Sequence, residues 1–415
     1  MPILLKEDYE YPLPKLTKVQ QIFDDSKIED VVSETKRELE KKEISEKIHK
    51  GDRVAIAIGS RGISNLRDIL KTLIDFLKRQ EARPYIVSAM GSHGGGTEEG
   101  QKEVLAGYGI TEEAMGIPVI TTVDVETAGE LPGGQKIYFD KAAASADAII
   151  PVNRIKLHTD FTGALQSGLC KMLVIGLGNQ KGCSSIHEEN PEFFADIIEN
   201  AAKVILKRYP VVFGLGIIEN AYDKTFHIEA IPSEQLIERE KELVEVAKKN
   251  MPVLMVPDID ILVMDEIGKD ISGAGYDPNI IGISSVLHEF SLPVPKIKRM
   301  VLLDITPGSH GNGIGMGLFD VTTRKVFEKL DYESMYANAI ACKCIEDAKI
   351  PIIASDKNEA IRVAAKCIRG VDREKLKIVE IRNTLSLDHI WVSQSVIEDI
   401  KNNPKIKIEK EEKSL

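Results

Sequence analysis

The chain has 415 residues, of which 43% are hydrophobic and 29% charged, and its formal net charge is −11. This length and composition predict a globular protein of two or three domains, and the acidic balance gives no support to nucleic-acid or membrane binding. No apolar run approaches the roughly 20 residues of a membrane span. The five cysteines are too few for a disulfide framework in a chain of this length, which favours a cytoplasmic protein.

In chain order, the sequence first predicts a charged amphipathic helix over residues 27–50. Short apolar strands then alternate with helices. The strand segments are RVAIAIG, RPYIVSAMG, ADAIIPVN, KMLVIGLG and YPVVFGLGII, and the helices LRDILKTLIDFLKRQ and EGQKEVLAGYG follow the first two. Continuous apolar strands that alternate with helices predict a parallel sheet covered on both faces.

A second α/β set begins after a predicted helix over residues 232–250, with the strands IDILVMDEIG and RMVLLDIT. We therefore expect an α/β protein of two α/β domains with a ligand cleft between them. The larger, N-terminal domain would span residues 1–256 and bind the cofactor, and the smaller, C-terminal domain would span residues 257–384. The tail, residues 385–415, could return to complete the first domain.

Three of the eight histidines follow predicted strand ends in the first half of the chain. His93 lies in SHGGGT after the second strand, His158 in RIKLHTD after ADAIIPVN, and His187 at the end of the stretch that contains MLVIG. In open α/β sheets, ligands bind beyond the carboxyl ends of the strands. This grouping favours a functional site over three unrelated structural histidines.

The loop after the second strand has four residues suited to an anion or cofactor: Gly94, Gly95, Gly96 and Thr97. The glycines allow close backbone approach, and Thr97 could cap a helix whose N-terminus suits a phosphate or carboxylate. A plain glycine turn is an equally good interpretation of the motif alone. Arg61, Arg154 and Lys156, also in strand-end loops, could supply the positive charge that binds a small anion.

The stretch CKMLVIGLGNQKGCSSIH leaves several chemistries open. Its glycines, at 176, 178 and 182, do not have the spacing of a dinucleotide-binding fingerprint. The three histidines lack a paired zinc-ligand spacing, yet distant strand ends could bring them together. The residues alone therefore allow a zinc-dependent hydrolase or lyase, or a non-catalytic binding protein for small anions.

Most of the chain, and most strongly the segment from residue 61 to residue 187, resembles the nickel-pincer-nucleotide-dependent lactate racemase family. In that family a lysine holds pyridinium-3-thioamide-5-thiocarboxylic acid mononucleotide through a thioamide, and a histidine sixteen positions later completes the coordination of nickel. Lys171 and His187 have this separation. The resemblance further implies that His93 and His158 are the catalytic acid and base, and that Arg61 binds the substrate.

The resemblance implies an isomerase, a racemase or epimerase of 2-hydroxy acids, with cofactor-biosynthesis proteins as partners in its maturation. Moving the substrate's hydrogen as hydride avoids a carbanion, while the hydroxyl proton requires a base such as histidine. The second-domain Tyr-Gln motif of the lactate enzymes is missing from GAGYDPNIIGISS. We therefore expect a substrate larger than lactate, such as a sugar acid, with Lys269 as the replacement substrate-binding lysine.

Overall fold

The computed structural model describes residues 3–415. Its strands are β1 Leu16–Gln21, β2 Arg53–Ile58, β3 Arg83–Ser88, β4 Val119–Ile120, β5 Val125–Glu130, β6 Lys136–Asp140, β7 Ala148–Arg154, β8 Phe213–Glu219, β9 Thr225–Pro232, β10 Asp258–Met264, β11 Lys296–Leu302, β12 Val321–Thr323, β13 Ile352–Ala354, β14 Ile378–Ile381, β15 His389–Ser393 and β16 Ile406–Lys413.

Its α-helices are α1 Val31–Leu39, α2 Lys42–Ser45, α3 Leu66–Arg79, α4 Glu98–Gly107, α5 Glu112–Met115, α6 Lys141–Ala144, α7 Leu169–Lys171, α8 Asn179–His187, α9 Phe194–Arg208, α10 Leu236–Asn250, α11 Pro278–Ile281, α12 Arg324–Lys329, α13 Tyr332–Cys342, α14 Lys357–Lys366 and α15 Gln394–Ile400. A π-helical turn, Met172–Gly176, follows α7. No helix of residues 3–415 has the length and apolarity needed to cross a membrane.

Residues 24–251 form one compact unit around a six-stranded sheet. The strand order is β4-β3-β2-β7-β8-β9, and all pairs are parallel except β8 with β9. The predicted α/β fold with a parallel sheet is confirmed. The interior strands β2, β3 and β7 are buried along almost their whole length, because both faces of a parallel sheet are covered by helices and connections.

The helix α3 shows why this sequence covers the sheet. Ile69, Leu70, Leu73 and Leu77 are fully buried and recur at helical spacing, so they form one apolar stripe. The single helix predicted over residues 27–50 is instead divided into α1 and α2. The backbone becomes extended at Lys41, with φ −55° and ψ 137°, and this turn lets both helices contribute apolar side chains to the core.

The other unit contains residues 3–23 and 252–415 and is built on an eight-stranded sheet. Its strand order is β13-β12-β11-β10-β14-β15-β1-β16, parallel as far as β14 and antiparallel from there. The tail, residues 385–415, therefore does not return to the first domain. The N-terminal strand β1 instead belongs to the second unit, where it pairs with β15 and β16.

The segment KMLVIGLG, predicted as a strand, is helical. It lies in α7 and the π-helical turn and leads into α8. Residues 172–176 are all buried, and an apolar run surrounded by protein has no polar side from which a period of two or of 3.6 could be read. The place beside β7 in the sheet is taken by β8.

Candidate active site

Three neighbouring strands bring the predicted site residues to one edge of the sheet. β3, β2 and β7 are adjacent and parallel, so their carboxyl ends lie at the same edge. Arg61 follows β2, His93 follows β3, and His158 follows β7. This is the edge at which open α/β sheets bind their ligands.

The helical stretch of residues 169–187 is attached to the same edge. The backbone N–H of Gly91, in the loop before His93, donates to the carbonyl of Gly176 at 3.1 Å. A Cβ on Gly176 would lie 2.6 Å from the carbonyl oxygen of Ala89, so this approach requires glycine. In the π-helical turn, Leu177 N–H donates to Met172 O, five residues earlier, at 2.8 Å. Such turns occur frequently at functional sites.

Lys171 ends α7 and is half-buried. Burial lowers the pKa of its ammonium group, and the nearby Arg61 acts in the same direction, while Asp160 and Cys183 oppose both. A lowered pKa increases the neutral fraction of the amine, the form that can make a covalent bond. These neighbours also show that Lys171 lies among the predicted site residues.

His187 ends α8, the second half of the same stretch. Its ring meets the edge of Phe194, with the ring centroids 5.3 Å apart. Burial raises the pKa of the Cys183 thiol, but hydrogen bonds with His187 and Ser92 outweigh burial and hold it below the ordinary value. The Cys183 Sγ and Ser92 Oγ atoms are 3.5 Å apart. Cys183 thus lies beside the predicted metal ligand, and Ser92 contacts Cys183.

His158 is fixed on both sides by its own loop. Its backbone N–H donates to Gln166 Oε1 at 2.8 Å, and its ring stacks on Phe161 with the centroids 4.2 Å apart. The backbone N–H of Asp160 donates to His158 Nδ1 at 3.0 Å. In the neutral ring the proton is therefore on Nε2.

The electrostatic surroundings of His158 are strongly positive. Burial lowers the pKa of its ring well below the ordinary value, and electrostatic interactions with four neighbours act in the same direction: Lys171, Lys156, His187 and Arg61. The same interactions show that the predicted base, anchor, metal ligand and substrate-binding arginine form one cluster. We conclude that His158 is neutral near pH 7.

His93 is bonded differently, because its Nδ1 contacts the hydroxyl of Ser60. The loop is held further by Tyr108, whose hydroxyl donates to the carbonyl of Ser60 at 3.0 Å. Gly94–Gly96 form a 3₁₀ turn in which all three residues have positive φ, near 65°. The predicted cap is confirmed, since Thr97 Oγ1 accepts from Gly100 N–H at 3.1 Å at the start of α4.

The predicted positive cluster is retained only in part. Arg154 forms an ion pair with the buried Glu219, so its charge is largely neutralised. Arg61 is an exposed residue, yet desolvation by surrounding atoms lowers the pKa of its guanidinium group, while Tyr108 and Asp160 oppose this shift and Arg154 adds to it. Arg61 is therefore the arginine that remains suited to bind an anion.

Lys269 lies in the unit of residues 252–415. Its ammonium group donates to the carbonyl of Gly273 at 2.7 Å and to Asn338 Oδ1 at 2.6 Å. Its backbone N–H donates to Ser309 Oγ at 3.1 Å. The amine thus has a fixed direction within its own unit, and its role in substrate binding stays a prediction.

Sequence reasoning did not identify several residues that contact the site. Ser60 and Asp160 could have been found, because they lie in the same strand-end loops as Arg61 and His158. Glu240 could not. The carboxylate of Glu240 accepts from the backbone N–H of Cys170, seventy positions earlier, and no local sequence motif predicts this contact.

No group of three or more His, Cys, Asp or Glu side chains in residues 3–415 is arranged to hold a metal ion. The zinc alternative requires His93, His158 and His187 to converge on one ion, and the described residues do not form such a group. A site with a single protein ligand, His187, makes no such demand.

Comparisons with known proteins agree with this architecture. Residues 8–193 match the family model of the lactate racemase N-terminal domain. Among solved structures, the lactate racemase apoprotein from Thermoanaerobacterium thermosaccharolyticum aligns with a TM-score of 0.54 and 15% identity, over 93% of this chain and 96% of that chain. At this identity, the structural alignment shows a shared fold and nothing more specific. Among curated proteins no sequence matches the chain. The matched segment, which includes Lys171 and His187, is similar to the lactate racemase N-terminal domain.

Proposed function

We propose that the protein is a racemase or epimerase of 2-hydroxy acids that uses a nickel pincer nucleotide bound covalently to Lys171. One observation carries this proposal. Lys171 and His187, the expected anchor and nickel ligand, lie on one helical stretch bonded to the edge of the sheet where Arg61, His93 and His158 are clustered. The family match over residues 8–193 supports the same assignment.

The residues present fit this cofactor. Lys171 has a lowered pKa, which favours the neutral amine needed for a thioamide link. His187 would be the protein's ligand to nickel, because imidazole together with sulfur ligands suits this metal. When bound, the cofactor would supply a reversible acceptor for the substrate's α-hydrogen as hydride.

Arg61 would hold the substrate. Its guanidinium group can pair with a carboxylate through two parallel hydrogen bonds, which fixes both position and orientation. Because Arg154 is paired with Glu219, Arg61 faces less competition for the anion. The backbone of Gly94–Gly96 and the N-terminus of α4 at Thr97 would bind the cofactor.

The two histidines would handle the hydroxyl proton. Because Ser60 can either donate or accept, Nε2 of His93 can be free of a proton and can take one from the substrate. In the observed geometry His158 instead carries its proton on Nε2, so it donates a hydrogen bond to the substrate oxygen. To act as the base, His158 would first have to give up the bond from Asp160 N–H.

A groove next to Arg61 supports a substrate longer than lactate, such as a sugar acid. It has a volume of about 460 Å³, and its lining includes Gly62, Arg67, Asp68, Lys71 and Tyr108. The cations of Arg67 and Lys71 and the carboxylate of Asp68 could bind the distal hydroxyl groups of such a substrate. Lys269 is our second candidate for binding the substrate.

Mass spectrometry of protein co-expressed with cofactor-biosynthesis proteins tests the proposal. We expect the pincer nucleotide mass on the peptide that contains Lys171, one nickel per modified chain, and no adduct in Lys171→Ala. The exposed Lys181 on α8 provides the matched control, and Lys181→Ala should keep the adduct. Full racemase activity with Lys171 unmodified, or zinc in place of nickel, would contradict the proposal.

A further inference from the structure

Glu240, on α10, is a fully buried carboxyl group outside the proposed reaction chemistry. Its Oε2 atom accepts from the backbone N–H of Cys170 at 2.8 Å, and its Oε1 atom has no hydrogen-bond partner within residues 3–415. Cys170 directly precedes Lys171. The carboxyl group therefore caps the first turn of the helical stretch that presents Lys171.

The chain is shaped to admit this carboxyl group. A Cβ on Gly168 would lie 2.1 Å from Glu240 Oε1, so a larger residue before α7 would displace the carboxyl group from this position. The amide of Asn153, at the end of β7, donates to the carbonyl of Gly168 at 2.9 Å. Gly168 is thus held from the sheet side by Asn153 and from the helix side by Glu240.

Such a group is costly, because a buried carboxyl with one unsatisfied oxygen loses its hydration without full compensation. Burial raises the pKa of Glu240 to about 7, which expresses that cost. An apolar residue would cost less, but it would leave the N–H groups at the start of α7 without an acceptor. The carboxyl therefore fixes the position of this one turn.

We propose that Glu240 is a positioning residue for Lys171, which holds the α7 backbone so that the lysine amine stays in its half-buried place among the site residues. The inference rests on the proposed function, because only there is Lys171 the residue that binds the cofactor. It concerns the free amine, however, and can be tested on the full-length chain without cofactor.

The test follows acetylation of unmodified Lys171 by an amine-reactive ester across pH, read by peptide mass spectrometry. In the wild type we expect a titration midpoint below that of an ordinary lysine. Glu240→Ala should move it upward, so that roughly tenfold less amine is neutral at pH 7. Glu240→Gln, which can still accept from Cys170 N–H, should stay close to the wild type.

Two further variants separate positioning from stability alone. Glu38 is a buried glutamate in the same unit that accepts from Ala230 N–H at 3.1 Å, and Glu38→Ala should lower the melting temperature without moving the Lys171 midpoint. If Glu240→Ala does not fold, Glu240→Asp, too short to reach Cys170 N–H, should show the same upward shift. A midpoint unchanged in either Glu240→Ala or Glu240→Asp overturns the inference.

The two proposals fail independently. Absence of a cofactor adduct on Lys171 would refute the proposed function and leave the effect of Glu240 on the amine intact. A titration midpoint of Lys171 that does not change when Glu240 is substituted would refute the positioning role even if the adduct forms normally.

Discussion

Asp160 donates its backbone N–H to Nδ1 of His158 at 3.0 Å, and this bond makes the two site histidines unequal. A second proton on His158 would have to go to Nδ1, where it would face another N–H. The corresponding partner of His93 is the hydroxyl of Ser60, which can donate or accept. His93 can therefore gain and lose a proton without rearrangement, whereas His158 cannot.

This inequality predicts different effects of conservative substitutions. Either His→Ala variant should remove racemisation in both directions and leave the adduct bound, since neither residue is the anchor. His93→Gln should lower kcat by about 10²- to 10⁴-fold, because no base remains. His158→Gln keeps an N–H donor and should lose only roughly tenfold. Chiral chromatography measures the rate of racemisation in each direction. Equal losses of kcat in the two Gln variants would contradict the unequal roles.

Ser60 should matter through His93. Ser60→Ala removes the hydrogen bond to Nδ1, worth about 0.5–1.5 kcal/mol, so we expect kcat to fall roughly 3- to 10-fold with little change in KM. The exposed Ser145, on the same unit, supplies the control substitution Ser145→Ala. Steady-state kinetics distinguish the outcomes. A rise in KM at constant kcat would instead assign Ser60 to substrate binding.

Lys269 should determine preference for the substrate. Lys269→Ala should lower kcat/KM for the best substrate roughly 10- to 100-fold, mainly through KM, because a bond to a charged group contributes about 1.5–3 kcal/mol. Lys349→Ala, at an exposed lysine of the same unit, is the control. A panel of lactate and longer aldonates measures both variants. Preference for lactate, or unchanged kinetics in Lys269→Ala, would reject this role.

Glu240 should also make stability depend on pH. Its folded pKa of about 7 lies above the ordinary value of 4.5, so between these pH values the folded protein keeps a proton that the unfolded chain releases. The free energy of unfolding should therefore fall as pH rises from about 4.5 to about 7, by about 3 kcal/mol at most. Asp140, with a pKa of about 6, contributes in the same direction.

Urea unfolding at several pH values measures this dependence. In Glu240→Gln the fall in unfolding free energy should be smaller than in the wild type, and the contributions of other carboxyl groups whose pKa values are raised by burial, including Asp140 and Asp265, should remain. An identical pH dependence in both proteins would mean that Glu240 does not hold a proton in the folded state near neutral pH.

The sequence was sufficient where side-chain period and strand ends determine structure. It predicted β2, β3, β7 and α3, and it placed His93 and His158 in loops that the sheet brings to one edge. It was insufficient where a contact joins distant segments without a local pattern. Residues 172–176 are all buried, so their sequence has no polar positions that distinguish a helix from a strand. The hydrogen bond from Cys170 to Glu240 joins residues seventy positions apart.

The place of β1 between β15 and β16 has a consequence for synthesis on the ribosome. The strand is made before residues 24–251, but both of its partners are made only after residue 388. Residues 24–251 form a unit of their own and can fold before the partner strands of β1 have been made. The sequence of β1, LTKVQQ, has only two aliphatic side chains, so the strand is a poor template for aggregation while it is unpaired.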